Sequence, residues 1–138
     1  MTDQETIERI LREAKHVAVV GLTDDPARPS HFVPAYLQDN GYHIIPVNPT
    51  ISGQVLGETV YPSLADAPRP IDVVQIFRRS DEVGPIVEEA IAVGARVVWM
   101  QLGISNEEAA AAARAAGLDV VMNQCMKVQH ARLHNTMI

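Results

Sequence analysis

The chain has 138 residues, of which 47% are hydrophobic and 20% charged, and its formal net charge is −6 at pH 7. This composition predicts one globular domain spanning residues 1–138 and excludes an intrinsically disordered chain. The acidic balance argues against nucleic acid as the main partner, although a local basic rim can still attract a small anion. No apolar run approaches the length that spans a membrane, so we expect no membrane partner.

Cysteine usage points to a reducing compartment. The chain has one cysteine, Cys125, which excludes an internal disulfide and a thiolate metal site. Because no signal-peptide pattern is present either, we expect a cytoplasmic location. Cys125 is either a reactive thiol or a small buried apolar residue, and we expect the second.

The first third of the chain predicts a helix, a strand and a helix. Apolar residues at helical spacing predict an amphipathic helix over Thr2–Lys15. Val17–Leu22 is apolar throughout, as in a strand that is covered on both faces. Ser30 is placed to cap a helix over His31–Asn40, with Pro34 tolerated in its first turn.

The remaining two thirds repeat the same alternation. Four more strands are predicted, at His43–Val47, Ile71–Phe77, Arg96–Gln101 and Leu118–Met122. A helix begins at Ser80 or Asp81 and ends near Val93, and Ser105 with Glu108 forms a capping box for an alanine-rich helix ending at Gly117. Residues 50–62 are predicted to be irregular, residues 63–67 a short helical turn, and residues 125–133 a final helix. The alternation predicts an α/β fold, a three-layer, Rossmann-like doubly wound sheet of about five parallel strands.

In such a sheet the ligand binds beyond the carboxyl ends of the strands. The first strand breaks at Gly21, and a polar loop with Arg28 and Ser30 follows it, as at phosphate-binding helix N-termini. The G-x-G-x-x-G dinucleotide fingerprint needs three glycines, and only Gly21 is present. The segments after the five strands carry the bases Arg28, Arg78, Arg79 and Lys127 and the acids Asp24, Asp25 and Asp81. A basic rim on an acidic chain favours a polyanionic ligand over merely solvated charges.

The end of the second strand narrows the ligand class. NAD-binding folds usually have an acidic residue there, whereas this chain has Asn48-Pro49. The absence of a carboxylate tolerates a phosphorylated ribose, as in NADP or coenzyme A.

Several other residues have two interpretations. His130 and His134, four apart, could bind a metal, but without a visible third ligand we expect His130 to pack in the tail or to lie at the rim. His31 contacts either phosphate or solvent. Trp99 is expected in the core, and Asp24 and Asp25 in a surface turn.

The ordered motifs of the chain resemble those of the stand-alone bacterial and archaeal CoA-binding proteins. That family is similar to the N-terminal CoA-binding domain of the succinyl-CoA synthetase α subunit. The resemblance covers about residues 8–133. Its motifs are Gly21-Leu22-Thr23, Arg28-Pro29-Ser30, Val47-Asn48-Pro49, Phe77-Arg78-Arg79-Ser80, Leu102-Gly103-Ile104 and Cys125. The chain lacks the glycine richness of the synthetase loop and the second domain that carries its phosphohistidine. Where the stand-alone family often has acidic residues, it has Asn123 and Gln129.

The resemblance implies coenzyme A, or an acyl-CoA, as ligand. The implied binding residues are Gly21, Leu22, Thr23, Arg28, Ser30, Val47, Asn48, Pro49, Phe77, Arg78, Arg79, Gly103 and Ile104. Among these, the Thr23 loop would meet the diphosphate, the Val47 segment the adenosine end, the Phe77 segment the nucleotide, and Gly103 with Ile104 the pantetheine. Asn123 and Cys125 match the synthetase only loosely.

Because no catalytic triad or metal set can be assembled, we expect binding without catalysis of its own. Two alternatives stay open, a CoA-ligase or acyl-transfer fragment that needs a partner subunit, and a nicotinamide-nucleotide-binding protein. A protein partner or a homo-oligomer is compatible with either.

Overall fold

The computed structural model describes residues 2–136 and contains a five-stranded sheet at its centre. Its strands are β1 (His16–Val20), β2 (His43–Val47), β5 (Val73–Ile76), β6 (Val97–Met100) and β7 (Asp119–Val121). They lie in the order β2-β1-β5-β6-β7, and every neighbouring pair is parallel. The predicted doubly wound α/β fold is therefore confirmed, with β2 at its predicted bounds and the other four strands one to three residues shorter than predicted.

Five helices cover the sheet in two layers. They are α1 (Asp3–Glu13), α2 (Pro29–Asp39), α3 (Val83–Ala92), α4 (Glu107–Ala115) and α5 (Met126–Thr136). Buried residues of α1, α2 and α5 share one apolar cluster, and those of α3 and α4 share another. The sheet lies between these two clusters, which makes the architecture a three-layer sandwich.

The strands are apolar on both faces because both faces are covered. In β1, Val17 and Val19 contact the cluster of α1, α2 and α5, while Ala18 and Val20 contact the other. Trp99 in β6 is fully buried, as expected, and its indole N–H donates to the carbonyl of Gln124 at 2.8 Å.

The segment predicted to be irregular contains a small antiparallel hairpin, β3 (Gln54–Val55) and β4 (Glu58–Thr59). Its turn residues Leu56 and Gly57 both have positive φ, 56° and 75°. Two positive φ values are what a tight two-residue hairpin needs, but Leu is an unusual residue for the first of them. The side-chain amide of Gln38 donates to the Leu56 carbonyl at 2.9 Å and ties the turn to α2. The short turn predicted nearby is present as a 3₁₀ helix at Leu64–Asp66.

Three helix starts differ from the sequence predictions. Helix α2 begins at Pro29 with Arg28 as N-cap, so the predicted cap Ser30 lies inside the helix and Pro34 follows in the second turn. Helix α4 is capped by Asn106, not Ser105. Ser80–Glu82 forms a 3₁₀ turn, and α3 begins only at Val83.

The strand order creates one switch point in the sheet. β1 pairs with β2 on one side and with β5 on the other. Helices α2 and α3, which follow β1 and β5, pack on opposite faces, so the two following loops diverge and leave a crevice between them. Within residues 2–136, no helix is long and apolar enough to cross a membrane.

Candidate functional site at the sheet switch point

A cleft of about 860 Å³ lies at the carboxyl ends of the strands, over the switch point. That volume is in the range of small-molecule sites. Its lining comes from the loops after all five strands of the sheet and from helices α2 and α5. A second cleft, of about 410 Å³, lies at the amino ends and contains the Arg9–Asp119 ion pair at 2.6 Å. The switch-point cleft is the candidate site because the strand ends and a helix N-terminus converge there.

Most of the predicted site residues line this cleft. Those that do are Gly21, Thr23, Arg28, Ser30, Asn48, Phe77, Arg78, Arg79 and Ile104. Leu22, Val47, Pro49 and Gly103 do not. The side chains of Leu22 and Val47 are buried in the core, Pro49 is exposed outside the cleft, and the Gly103 amide donates to Asn123 Oδ1 at 2.7 Å.

Gly21 allows the two loops of the switch point to meet. Its φ is +94°, and a Cβ built on it would lie 2.6 Å from the carbonyl oxygen of Phe77. The Gly21 amide donates to the Val47 carbonyl at 2.9 Å, and the Phe77 amide donates to the Val20 carbonyl at 2.9 Å. The glycine thus joins the ends of β1, β2 and β5 at one point.

The loop after β1 is held against the first turn of α2. The Thr23 amide donates to the Ser30 carbonyl at 3.3 Å, and the His31 ring nitrogen Nδ1 lies 2.8 Å from the Thr23 carbonyl oxygen. Ser30 can accept this bond because Pro34, four residues later, has no N–H to occupy its carbonyl. His31 therefore positions the loop and does not line the cleft.

The three arginines of the cleft differ in their partners. Arg79 pairs with Asp81 at 3.4 Å and with Glu82 at 3.7 Å, both exposed contacts of little energy. Arg28 and Arg78 have no ion-pair partner among residues 2–136. Lys127, predicted in the basic rim, instead lies on α5 with its Nζ 5.3 Å from the centres of the Phe32 and Tyr36 rings. Two unpaired guanidinium groups thus face a cleft in a chain of net charge −6.

Asn48, at the end of β2, is buried and uses both ends of its amide. Its Nδ2 donates to the Leu22 carbonyl at 2.9 Å, and its Oδ1 accepts from the Thr50 amide at 2.9 Å. It holds the two loops together and leaves no carboxylate at this place. Asp25 acts similarly in the preceding loop, where its Oδ1 accepts from the Ala27 amide at 3.0 Å.

Sequence reasoning missed part of the lining. The lining residues that were not predicted are Phe32, Val33, Thr50, Ile51, Gln101 and Val128, whereas Pro29, Leu102 and Cys125 lie in the quoted motifs but were not assigned as binding residues. Several lie on the inner sides of α2 and α5, and which side of a helix faces a cleft follows from tertiary packing. Gln101 could have been predicted from the sequence, because it is a polar residue at the carboxyl end of an apolar strand, where ligands bind. Cys125 is half-buried rather than buried and packs against the α1, α2 and α5 cluster.

The histidines of α5 form a packed pair. His130 Nε2 lies 2.9 Å from His134 Nε2, and His130 Nδ1 lies 2.9 Å from the Tyr36 hydroxyl. Burial, followed by the neighbouring His134, lowers the pKa of His130. In the part of the chain that the structure describes, no three His, Cys, Asp or Glu side chains could hold a metal ion.

Comparison with known proteins gives a family match over most of the chain. Residues 15–131 match the family model described as CoA binding domain. The uncharacterized protein YneT of Bacillus subtilis (strain 168) is 46% identical over 125 residues, covering 91% of this chain and 92% of that protein.

Solved structures share the fold. Cell-free ID.343 from Thermus thermophilus is 37% identical with a TM-score of 0.91, covering 96% of this chain and 99% of that one. The dinucleotide-forming acetyl-coenzyme A synthetase 1 of Ca. Korarchaeum cryptofilum, in complex with phosphate and ADP, is 25% identical with a TM-score of 0.69. That match covers 83% of this chain but only 26% of the synthetase.

Proposed function

The chain belongs to the CoA binding domain family, which makes coenzyme A its ligand, and from this premise we propose that coenzyme A binds in the switch-point cleft without being chemically changed by this chain. Coenzyme A carries a diphosphate and a ribose 3′-phosphate at one end and a thiol at the other. A cleft with cations on one part of its wall and apolar side chains on another suits such a molecule.

The observation that carries this placement is the pair of unpaired arginines, Arg28 and Arg78, at the switch point. A guanidinium binds phosphate through two parallel hydrogen bonds, and an unpaired one gives up no internal ion pair to do so. The Ser30 amide, in the first turn of α2, adds the positive end of a helix dipole.

The neutral end of β2 supports the same ligand. Asn48 uses its amide internally, so no carboxylate repels a phosphorylated ribose at this position. This also supports coenzyme A over NAD, for which an acidic residue would bind the ribose hydroxyls.

The lining supports binding without catalysis. Cys125, Thr23, Ser30 and Thr50 are the hydroxyl and thiol groups of the cleft. Among the described residues, no histidine, aspartate or glutamate lines the cleft to act as their general base.

A second candidate is a CoA-ligase or acyl-transfer fragment whose partner supplies the reacting groups. The observation in its favour is the match to about a quarter of the acetyl-coenzyme A synthetase, where this fold is one part of a larger chain. Acyl-CoA formation by this protein alone with ATP, CoA and a carboxylic acid would refute the binding-only proposal.

Calorimetric titration with CoA and with 3′-dephospho-CoA tests the placement. We expect Arg78→Ala to weaken CoA binding roughly 10- to 100-fold, because it removes a charge-assisted phosphate contact. Binding of 3′-dephospho-CoA should fall much less if Arg78 contacts the 3′-phosphate. Arg114→Ala, an exposed arginine on α4, is the matched control and should change neither affinity.

Three outcomes are decisive for this experiment. No heat with CoA on the unmodified protein would overturn the proposal. Equal losses for both ligands would reject the assignment of Arg78 to the 3′-phosphate. If the double variant Arg28→Ala/Arg78→Ala binds CoA as tightly as the unmodified protein, the ligand lies outside this cleft.

A further inference from the structure

Within the proposed CoA site, and resting on that proposal, we infer that the cleft recognises an acyl-CoA with an uncharged acyl chain. The amide nitrogen of Gln101 donates to the thioester carbonyl, and the acyl chain lies on Phe32, Leu102 and Val128. Two independent features of the cleft lead to this ligand class. One is a donor without a protein partner on a side chain that is nearly buried, and the other is a concentration of exposed apolar side chains.

Gln101 is only 4% exposed, yet it lines the cleft. Its Oε1 accepts two hydrogen bonds, from the Met126 amide at 2.8 Å and from Gln75 Nε2 at 3.1 Å. A backbone N–H can only donate, so the atom that faces Met126 must be the oxygen, and the orientation of the side-chain amide is settled. The nitrogen Nε2 therefore points away from α5, and it has no partner among residues 2–136.

Gln75 makes this orientation rigid. It is fully buried in β5, and its Oε1 has no hydrogen-bond partner. An unsatisfied buried polar atom is costly, and an apolar residue would avoid the cost. The Gln75 side chain and the backbone amide of Met126, at the start of α5, both donate to Gln101 Oε1 and together fix the Gln101 side chain. A donor that is so firmly oriented suits a ligand that places a carbonyl oxygen at a defined point of the cleft.

Exposed apolar surface is concentrated at the same cleft. Among the described residues, the large hydrophobic side chains that are exposed are Leu102 (68%), Val128 (44%) and Phe32 (40%). They come from three separate elements, and all three line the cleft. Single exposed hydrophobic residues need no explanation, but their convergence on one ligand cleft indicates an apolar part of the ligand.

Leu102 is held in its exposed position by a tied turn. The Ile104 amide donates to the Gln101 carbonyl at 2.9 Å, and Gly103 supplies the positive φ of +86° that the turn needs. Asn123 makes two hydrogen bonds to this turn. Its side-chain Oδ1 accepts from the Gly103 amide at 2.7 Å, and its backbone amide donates to the Ile104 carbonyl at 3.0 Å. The side chain is thus presented at a fixed place beside Gln101.

These two features match two neighbouring groups of an acyl thioester. In that ligand the alkyl chain is bonded to the carbonyl carbon, and in the cleft Gln101 and Leu102 are adjacent lining residues. Phe32, Leu102 and Val128, which would hold the acyl chain, have no charged or hydrogen-bonding group to replace the water around a carboxylate. An uncharged acyl chain therefore fits better than one ending in a carboxylate.

The test compares free CoA with butyryl-CoA, its thioether analogue S-butyl-CoA and succinyl-CoA, by calorimetry on the unmodified protein. S-butyl-CoA has the same chain without the carbonyl. We expect butyryl-CoA to bind roughly 3- to 10-fold more tightly than S-butyl-CoA, the range of one hydrogen bond. S-butyl-CoA should in turn bind more tightly than free CoA, by roughly two- to fourfold for each methylene buried.

Gln101→Met keeps the size of the side chain and removes the donor. In this variant, we expect butyryl-CoA and S-butyl-CoA to bind equally, whereas Gln54→Met, an exposed residue of β3, should keep their ratio. Because Gln101→Met also removes the acceptor for Met126, a second measurement avoids any folding defect. Carbonyl-¹³C-labelled butyryl-CoA bound to the unmodified protein should show a carbonyl stretch at lower frequency than in the free ligand in an aprotic solvent.

Failure of this inference and failure of the proposed function are distinguishable. If CoA binds and the four-carbon ligands bind no more tightly, the acyl inference is wrong and the CoA proposal stands. Equal binding of butyryl-CoA and S-butyl-CoA would contradict the hydrogen bond from Gln101 to the thioester carbonyl. Tighter binding of succinyl-CoA than of butyryl-CoA would contradict the preference for an uncharged acyl chain. If no ligand of the series binds, both proposals fall.

Discussion

At the scale of single residues, cations were easier to predict than neutral polar groups. Arg28 and Arg78 lie in the loops that follow two parallel strands, and the ends of such strands meet at one edge, so their convergence could be predicted from the sequence. Gln75 and Gln101 could not be assigned a role in the same way. A glutamine in an apolar strand is visible in the sequence, but its partners at neighbouring strands depend on register, which pairs Gln75 with Trp99.

A substitution at Gly21 tests how closely the loops after β1 and β5 approach each other. Replacement by alanine imposes positive-φ strain and also places Cβ 2.6 Å from a backbone oxygen. Gly117 is the matched control, since its φ is +91° but no atom lies within 4 Å of its Cβ position. We expect Gly117→Ala to lower the free energy of unfolding by about 1 kcal/mol and Gly21→Ala by about 2–4 kcal/mol. Urea unfolding measures both, and equal losses would mean that the loops do not meet as described.

At the scale of elements, the sequence predicted where helices exist better than where they begin. Ser30 and Ser105 both fit the capping pattern, yet neither caps a helix. In α2, Pro29 at the first helical position already favours the start one residue earlier. In α4, Asn106 competes with Ser105, and the Asn106 side chain has a partner that the Ser105 side chain lacks, because its Nδ2 also donates to the Ser80 carbonyl at 2.9 Å. Such a partner from another loop is a tertiary contact.

The cap of α4 gives a direct comparison of two adjacent residues. Asn106→Ala removes the bond from the Ala109 amide at 2.9 Å and the contact with the Ser80 loop. We expect it to lower the free energy of unfolding by about 1–2 kcal/mol. Ser105→Ala should stay within about 0.5 kcal/mol, since the Ser105 side chain caps nothing. If chemical denaturation shows that Ser105→Ala lowers the free energy of unfolding more than Asn106→Ala does, the capping box predicted from the sequence is correct and the Asn106 cap is wrong.

The packing of α5 on α2 should make stability depend on pH. The lowered pKa of His130 means that the unfolded chain takes up a proton more readily than the folded one. The contribution of His130 is therefore complete above its unfolded pKa of about 6.5 and is lost as the pH falls through the lower folded value.

Denaturation at about pH 7.5 and about pH 5.5 measures this dependence. We expect His130→Asn, which keeps a polar group near the Tyr36 hydroxyl, to lose less stability on acidification than the unmodified protein. Gln54→Asn, at an exposed position of β3, is the control and should keep the full pH dependence. An identical loss in His130→Asn would assign the effect to other groups.

At the scale of the whole molecule, ligand binding and folding are linked. A ligand that binds only the folded chain raises its stability by about 2.7 kcal/mol at one hundred times its Kd. For a chain of 138 residues this corresponds to roughly 10 °C in Tm. We expect this shift with CoA, a smaller one with 3′-dephospho-CoA at the same concentration, and none with NAD. A shift with NADP alone would favour the nicotinamide-nucleotide alternative.

The sequence by itself determined the fold class and the edge of the sheet that carries the basic residues. Continuous apolar runs require a sheet covered on both faces, and helix-length crossovers require parallel strands, so local pattern was sufficient. Tertiary structure alone decided which side chains meet across elements. Strand order placed the switch point between β1 and β5, packing turned Phe32 and Val128 toward the cleft, and α5 supplied the amide that orients Gln101. These contacts join residues far apart in the chain, and no local propensity or periodicity encodes which of them become neighbours.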